Sequence, residues 1–70
     1  MKGNIIKREP YFKFKKYLSD NDIKQKELAE NLGKSLSFVN KALNRRGAEF
    51  TITDFIMIRD LYDITIHDYF

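Results

Sequence analysis

The sequence predicts an all-α protein, a compact bundle of five short helices, and three observations lead to this prediction. With 70 residues, the chain is long enough for one small domain. Apolar residues recur at intervals of three and four along most of the chain, which is the period of an amphipathic helix. The short segments between these stripes hold Gly, Ser, Asn and Asp, the residues at which helices begin and end.

The first elements are an arm and a helix. Residues 1–9 show no apolar period and contain three basic residues, so we expect a flexible basic arm in front of a single domain at residues 10–70. Pro10 favours the first turn of helix 1, because the N–H that proline lacks has no helical partner there. The helix then extends to about Leu18 along an apolar stripe of Tyr11, Phe14, Tyr17 and Leu18.

Two helices are predicted on either side of a glycine. Helix 2 spans about residues 25–32, and its inward positions are Leu28, Ala29 and Leu32. Gly33 follows, at the position where a left-handed backbone ends a helix. Ser35 is a favourable N-cap for helix 3, which we place at about residues 35–44. The inward stripe of helix 3 consists of Leu36, Val39, Ala42 and Leu43.

The C-terminal third contains a fourth helix and a terminal helical turn. Phe50 is expected to fold back onto the core, and Thr51 begins helix 4 with Asp54 completing a capping box. Helix 4 is apolar around more of its circumference than a small monomer can bury. Its predicted inward stripe is Ile52, Phe55, Ile58 and Tyr62. The surplus predicts a homodimer, in solution or only on a binding partner, through Ile56, Met57, Leu61 and Phe70.

The charge distribution favours a polyanionic partner. The net charge is +3, but residues 1–26 contain eight Lys or Arg and three Asp or Glu, whereas residues 49–70 contain one and five. A basic front and an acidic back suit a protein that binds a polyanion with one face. Ordinary solvation of a small surface explains the same asymmetry, so this observation alone does not decide the function.

The composition argues against an enzyme, a cofactor and a metal site. A chain this short leaves little room for a substrate pocket beside its core. There is no cysteine and one histidine, His67, so neither a thiolate nor a histidine pair can bind a metal ion. The chain has neither an apolar run of about 20 residues nor the apolar centre of a signal peptide, so we expect a cytoplasmic protein.

The outward face of helix 3 carries groups that suit the DNA major groove. There Asn can pair with adenine, Lys with guanine, and an apolar group can contact the thymine methyl. Phe38 fits a base contact and a core position equally well, and Leu36 has the same two interpretations. The predicted base contacts are Leu36, Ser37, Phe38, Asn40, Lys41 and Asn44.

Phosphate contacts are expected at the ends of the same two helices. Gln25, in the first turn of helix 2, can direct its amide to a phosphate beside the positive end of the helix dipole. Arg45 and Arg46 follow helix 3 and can pair with phosphates as well. An exposed glutamine and solvated loop arginines are the alternatives for these three residues.

At these residues the chain resembles the Cro/repressor class of helix-turn-helix proteins, the small phage and mobile-element transcription regulators. The resemblance covers about residues 11–70. Its most specific part is the pattern Ile23-x-Gln25-x-Glu27-Leu28-Ala29-x-x-Leu32-Gly33-x-Ser35-x-Ser37-x-Val39, which continues to Leu43-Asn44 and to Glu49-Phe50-Thr51.

The resemblance implies a lambda-repressor-like DNA-binding domain in which helices 2 and 3 form the helix-turn-helix. Helix 3 would enter the major groove, and a dimer would bind a pseudo-palindromic operator. Gln25 and Ser35 would contact phosphates; Leu36, Ser37 and Lys41 would face base edges, with Asn40 and Asn44 beside them. The chain departs from the family at Lys24, where a Ser or Thr cap is common, and at Leu36, where a polar base reader is common.

Two functions of different classes follow from the sequence. The first is a sequence-specific, double-stranded DNA-binding transcriptional regulator without a small-molecule substrate. The second is a helix-turn-helix fold used as a protein interaction module, such as an antirepressor or a modulator of another regulator. In the second, helix 4 together with Tyr69 and Phe70 would form the docking patch.

Overall fold

A computed structural model describes residues 9–70 and contains five α-helices and no strand in that range. The helices are α1 (Phe12–Asp20), α2 (Gln25–Leu32), α3 (Leu36–Asn44), α4 (Ile52–Tyr62) and α5 (Ile66–Tyr69). The predicted all-α bundle of five short helices is therefore confirmed. Helix α2 packs against α3 and α4, and α5 packs against α1 and α4. Apart from Glu9, the arm predicted for residues 1–9 lies outside the described residues.

Helix α1 begins later than predicted. Pro10 precedes the helix, and Tyr11 is its N-cap residue with non-helical φ and ψ of −77° and 73°. The Tyr11 N–H donates to the Leu43 carbonyl oxygen at 2.9 Å, a bond that joins the start of α1 to the end of α3. Because this bond holds Tyr11 out of the helix, the placement of Pro10 in the first turn was wrong.

The core collects apolar side chains from α1 to α4 and from the linker before α4. Phe50 is 7% exposed, which confirms that the linker folds back onto the core. The helices contribute Phe14 and Leu18 from α1, Leu28, Ala29 and Leu32 from α2, Val39, Ala42 and Leu43 from α3, and Ile58 from α4. Since α3 buries three residues within five positions, one of its faces is fixed and the other is left to solvent.

An aromatic cluster closes the core beside α5. The Phe70 ring lies 4.7 Å from the Phe14 ring and 4.9 Å from those of Tyr11 and Phe55, measured between centroids, and 6.1 Å from that of Phe50. Edge-on and tilted ring pairs at these distances stabilise a fold by more than the burial of their apolar area alone. Phe70 is therefore not the surplus apolar residue that the predicted dimer interface required.

Helix α4 keeps most of the predicted inward stripe, since Ile58 is buried and Phe55 and Tyr62 pack partly against the core. Thr51 and Asp54 form the predicted capping box, with Thr51 N–H donating to Asp54 Oδ2 at 2.9 Å and Asp54 N–H donating to Thr51 Oγ1 at 3.1 Å. Asp54 is 2% exposed, so this satisfied carboxylate faces the interior. Ile52 lies about 200° away around the helix and is 79% exposed, which corrects its inward placement.

The predicted surplus of apolar surface on α4 is present, with a different composition. Ile56 and Leu61 are 43% and 48% exposed, whereas Met57 packs partly against the core. Ile52 and Ile56 are one helical turn apart and share a face, while Leu61 lies about 140° further around the helix. The exposed apolar patch of α4 is therefore the pair Ile52 and Ile56.

Phe50 and Phe12 offer a matched test of the core. Phe50→Ala removes a buried ring and leaves a cavity, so it is expected to lower the free energy of unfolding by about 3 kcal/mol. Phe12 is 60% exposed, and Phe12→Ala is expected to change stability by less than about 1 kcal/mol. Urea unfolding followed by circular dichroism measures both. Similar losses in the two variants would contradict the placement of Phe50 at the centre of the core.

Candidate functional site

The candidate site is built on α2, α3 and the three-residue turn between them. Helix α2 ends at Gly33, whose φ of 67° and ψ of 30° lie in the left-handed region that favours glycine. The Lys34 N–H donates back to the Ala29 carbonyl oxygen at 2.9 Å. Ser35 is the N-cap of α3, with its Oγ accepting from the Phe38 N–H at 3.0 Å. The predicted positions of the glycine end and the serine cap are both confirmed.

Helix α3 has one buried face and one exposed face. Val39, Ala42 and Leu43 are fully buried, as predicted, so the helix is held firmly against the rest of the domain. Leu36, predicted to point inward or to contact a base, is 50% exposed and does not belong to the core. The exposed face presents Leu36, Ser37, Asn40 and Lys41.

Phe38 lies at the border between the two faces. Its ring is half-buried and makes an edge-on contact with the Phe50 ring at 6.1 Å. The Lys34 ammonium lies 5.2 Å from the centre of the same ring, within the range of a cation–π contact. Of the two interpretations of Phe38, these contacts favour packing against the core.

A chain of side-chain hydrogen bonds links three helices across the site. Lys15 Nζ of α1 donates to Asn44 Oδ1 at 2.7 Å, and Asn44 Nδ2 donates to the Asn40 carbonyl oxygen at 2.9 Å. Asn40 Nδ2 then donates to Gln25 Oε1 at 3.2 Å. These bonds join α1 and α2 to the exposed face of α3. Hydrogen bonds of this kind restrict the directions in which the amide groups point.

Lys15 is the residue of this site that the sequence did not indicate. Its position directly after the buried Phe14 puts it at the flank of the core, where a long side chain can reach a neighbouring helix. The position of Lys15 next to Phe14 is the one feature of the sequence that could have indicated a contact with another helix. It does not identify Asn44 as the partner.

The two predicted arginines have different surroundings. Arg45 ends α3 with a left-handed φ of 56°, and its guanidinium lies 4.9 Å from the centre of the Tyr11 ring. The side chain is half-buried, so Arg45 is not the solvated loop arginine of the alternative interpretation. Arg46 is exposed beside it. The cations of this region that are fully on the surface are Lys34, Lys41 and Arg46.

The first turn of α2 is open to a ligand. Gln25 is half-buried, and the N-cap residue Lys24 contributes no side-chain hydrogen bond to the helix. The first N–H groups of α2 therefore have neither a helical partner nor a cap. Such N–H groups bind anions, because the helix dipole places a partial positive charge there.

Other kinds of site find little support in the part of the chain that the structure describes. Over residues 9–70, no three His, Asp or Glu side chains are grouped so that they could hold a metal ion. His67 is exposed. No helix within that range has the length and apolar character needed to cross a bilayer.

The chain was compared with protein-family models, with curated proteins and with solved structures, and none of the three comparisons gave a match.

Ser35 and Ser37 provide a matched test of the N-cap. Ser35→Ala removes the acceptor of the Phe38 N–H and is expected to lower the free energy of unfolding by about 1 kcal/mol. Ser37 is exposed within the first turn of α3, where alanine is the better helix former, so Ser37→Ala is expected to be neutral or slightly stabilising. Thermal or urea unfolding compares the two. A larger loss from Ser37→Ala would refute this assignment of the cap.

Proposed function

We propose that the protein is a sequence-specific, double-stranded DNA-binding transcriptional regulator of the Cro/repressor type. In this proposal α2 and α3 form a helix-turn-helix, and α3 enters the major groove. The observation that carries the proposal is the division of α3 into a fully buried face and an exposed face of Leu36, Ser37, Asn40 and Lys41. An α-helix with its side chains is about 10–12 Å in diameter, and the major groove is about 12 Å wide.

Charge and helix ends support the same proposal. Exposed Lys34 and Arg46 lie at the two ends of α3, where phosphates border the groove, and Lys41 lies between them. The uncapped start of α2 offers backbone N–H groups to a phosphate. The absence of a Ser or Thr cap at Lys24 therefore favours phosphate binding at this helix end.

Binding to duplex DNA over a range of salt concentrations tests the proposal. Fluorescence anisotropy with labelled random-sequence duplexes is expected to detect association at 50 mM salt. Raising the salt to 200 mM should weaken it about three- to fourfold for each neutralised phosphate, because bound counterions are released. Selection of tightly bound fragments from the random pool should then enrich one motif. The absence of association, or an association insensitive to salt, would refute DNA binding.

Two lysines provide the control for sequence readout. Lys41→Ala on the exposed face of α3 is expected to relax the preference at one base step by about 5- to 150-fold without unfolding the protein. Lys16 pairs with Asp20 at 2.6 Å on α1 and borders a groove beside α5, away from α3. Lys16→Ala should leave the selected motif unchanged. Equal effects of both substitutions would mean that charge alone governs binding.

We further propose that the regulator binds its operator as a dimer through the exposed pair Ile52 and Ile56 of α4. Isolated helix-turn-helix domains bury little DNA surface, and dimers read two half-sites about 34–36 Å apart. Selected sequences should therefore contain an inverted repeat. Ile56 is 43% exposed, and Ile56→Asp should reduce the selected motif to one half-site, because it places a charge on apolar surface that the dimer would bury. A motif without symmetry, unchanged by Ile56→Asp, would exclude this dimer.

The alternative is a protein interaction module, and the structure changes the patch that it would use. Tyr69 and Phe70 are half-buried and make ring contacts within the chain, so the exposed apolar residues of the predicted patch are Ile52, Ile56 and Leu61 of α4. The dimer proposed above would use the same surface, so this surface does not favour a different protein partner. The DNA-binding experiment separates the two functions, since the interaction module predicts no enriched DNA motif.

A further inference from the structure

Three side-chain amides lie on or beside the exposed face of α3. They differ in which of their atoms already make hydrogen bonds within the chain. Reading adenine in the major groove requires one amide to offer its oxygen to the N6 amino group and an N–H to N7. Asn44, Asn40 and Gln25 all carry the right chemical groups. Their hydrogen bonds within the chain determine which of them can present both groups together.

Both polar atoms of the Asn44 amide make hydrogen bonds within the protein. Its oxygen accepts from Lys15 Nζ at 2.7 Å, and its nitrogen donates to the Asn40 carbonyl oxygen at 2.9 Å. A lysine ammonium can only donate and a carbonyl oxygen can only accept, so these partners fix the orientation of the Asn44 amide. Asn44 is also half-buried. It therefore lacks an open edge with a free oxygen and a free N–H.

Asn40 retains such an edge. One of its two amide hydrogens goes to Gln25 Oε1 at 3.2 Å, and the side chain is exposed. This bond uses one N–H and leaves the Asn40 oxygen and one N–H for an adenine, which needs one acceptor and one donor. Leu36 lies one turn earlier on the same face and cannot form hydrogen bonds.

We propose that Asn40 is the adenine-reading residue of α3 and that Gln25 is a positioning residue that orients its amide. This inference rests on the proposed DNA-binding function and assigns the readout within it. Gln25 acts through its oxygen, which orients the Asn40 amide. Asn44 makes no base contact of its own.

The first experiment compares the two asparagines on the motif that the wild-type protein selects. Asn40→Ala is expected to lower the preference for adenine at one position of that motif by about 5- to 150-fold. Asn44→Ala should weaken overall binding at most and keep adenine at that position. Replacing this adenine with 7-deazaadenine, which lacks the N7 acceptor, should weaken wild-type binding and leave Asn40→Ala unaffected. The modified base tests the assignment even if a variant is unstable.

The second experiment separates the positioning role of Gln25 from a phosphate contact. Gln25→Glu keeps the oxygen that accepts from Asn40 and adds a negative charge, so total affinity should fall while the adenine preference persists. Gln25→Lys favours a phosphate and removes the acceptor, so affinity should persist while the adenine preference falls. The adenine preference is measured as the ratio of affinities for adenine and for the other bases at one position of the motif. A Gln25 that only stabilised the fold or attracted phosphate would leave this ratio unchanged.

The outcomes distinguish this inference from the proposed function. A wild-type selection without any motif would refute the regulator and the inference together. A motif whose adenine disappears with Asn44→Ala but survives Asn40→Ala would overturn the inference alone. So would an adenine preference that Gln25→Lys keeps and Gln25→Glu removes, because Gln25 would then donate to Asn40 instead of accepting from it.

Discussion

Burial of one face of α3 is the constraint on which the rest of the structure depends. Val39, Ala42 and Leu43 leave no exposed surface, so α3 can neither rotate nor slide without opening the core. The Leu43 carbonyl also accepts the Tyr11 N–H, which ties the start of α1 to the same helix. A side chain on the opposite face is consequently presented from a rigid support, as recognition of a base edge requires.

Aromatic packing extends this constraint to the end of the chain. Phe50 contacts the rings of Phe38 and Phe70, and so connects α3 to the segment after α5. A four-residue helix such as α5 is too short to be stable alone, and it is held by this cluster and by α1 and α4. The same packing leaves the rings of Phe38 and Phe70 half-buried.

The sequence predicted the features that depend on local chemistry. The glycine end of α2, the serine cap of α3 and the capping box of α4 are determined by residues close to one another in the chain. The periodicity of α4 misplaced Ile52, because it assigned no inward position to Asp54, which is buried once its carboxylate is satisfied. Lys15 and Asn44 are 29 positions apart in the chain, whereas helical periodicity relates residues only three or four positions apart, so it could not predict their hydrogen bond.

The two roles proposed for Gln25 are compatible because they use different atoms. Its oxygen accepts from Asn40, whereas its own N–H groups and the uncapped N–H groups of α2 can donate to a phosphate. A single amide would then connect the DNA backbone to the residue that reads the base. Contact with the phosphate would set the register of α3 in the groove and orient Asn40 at the same time, so affinity and specificity would depend on one side chain in separable ways.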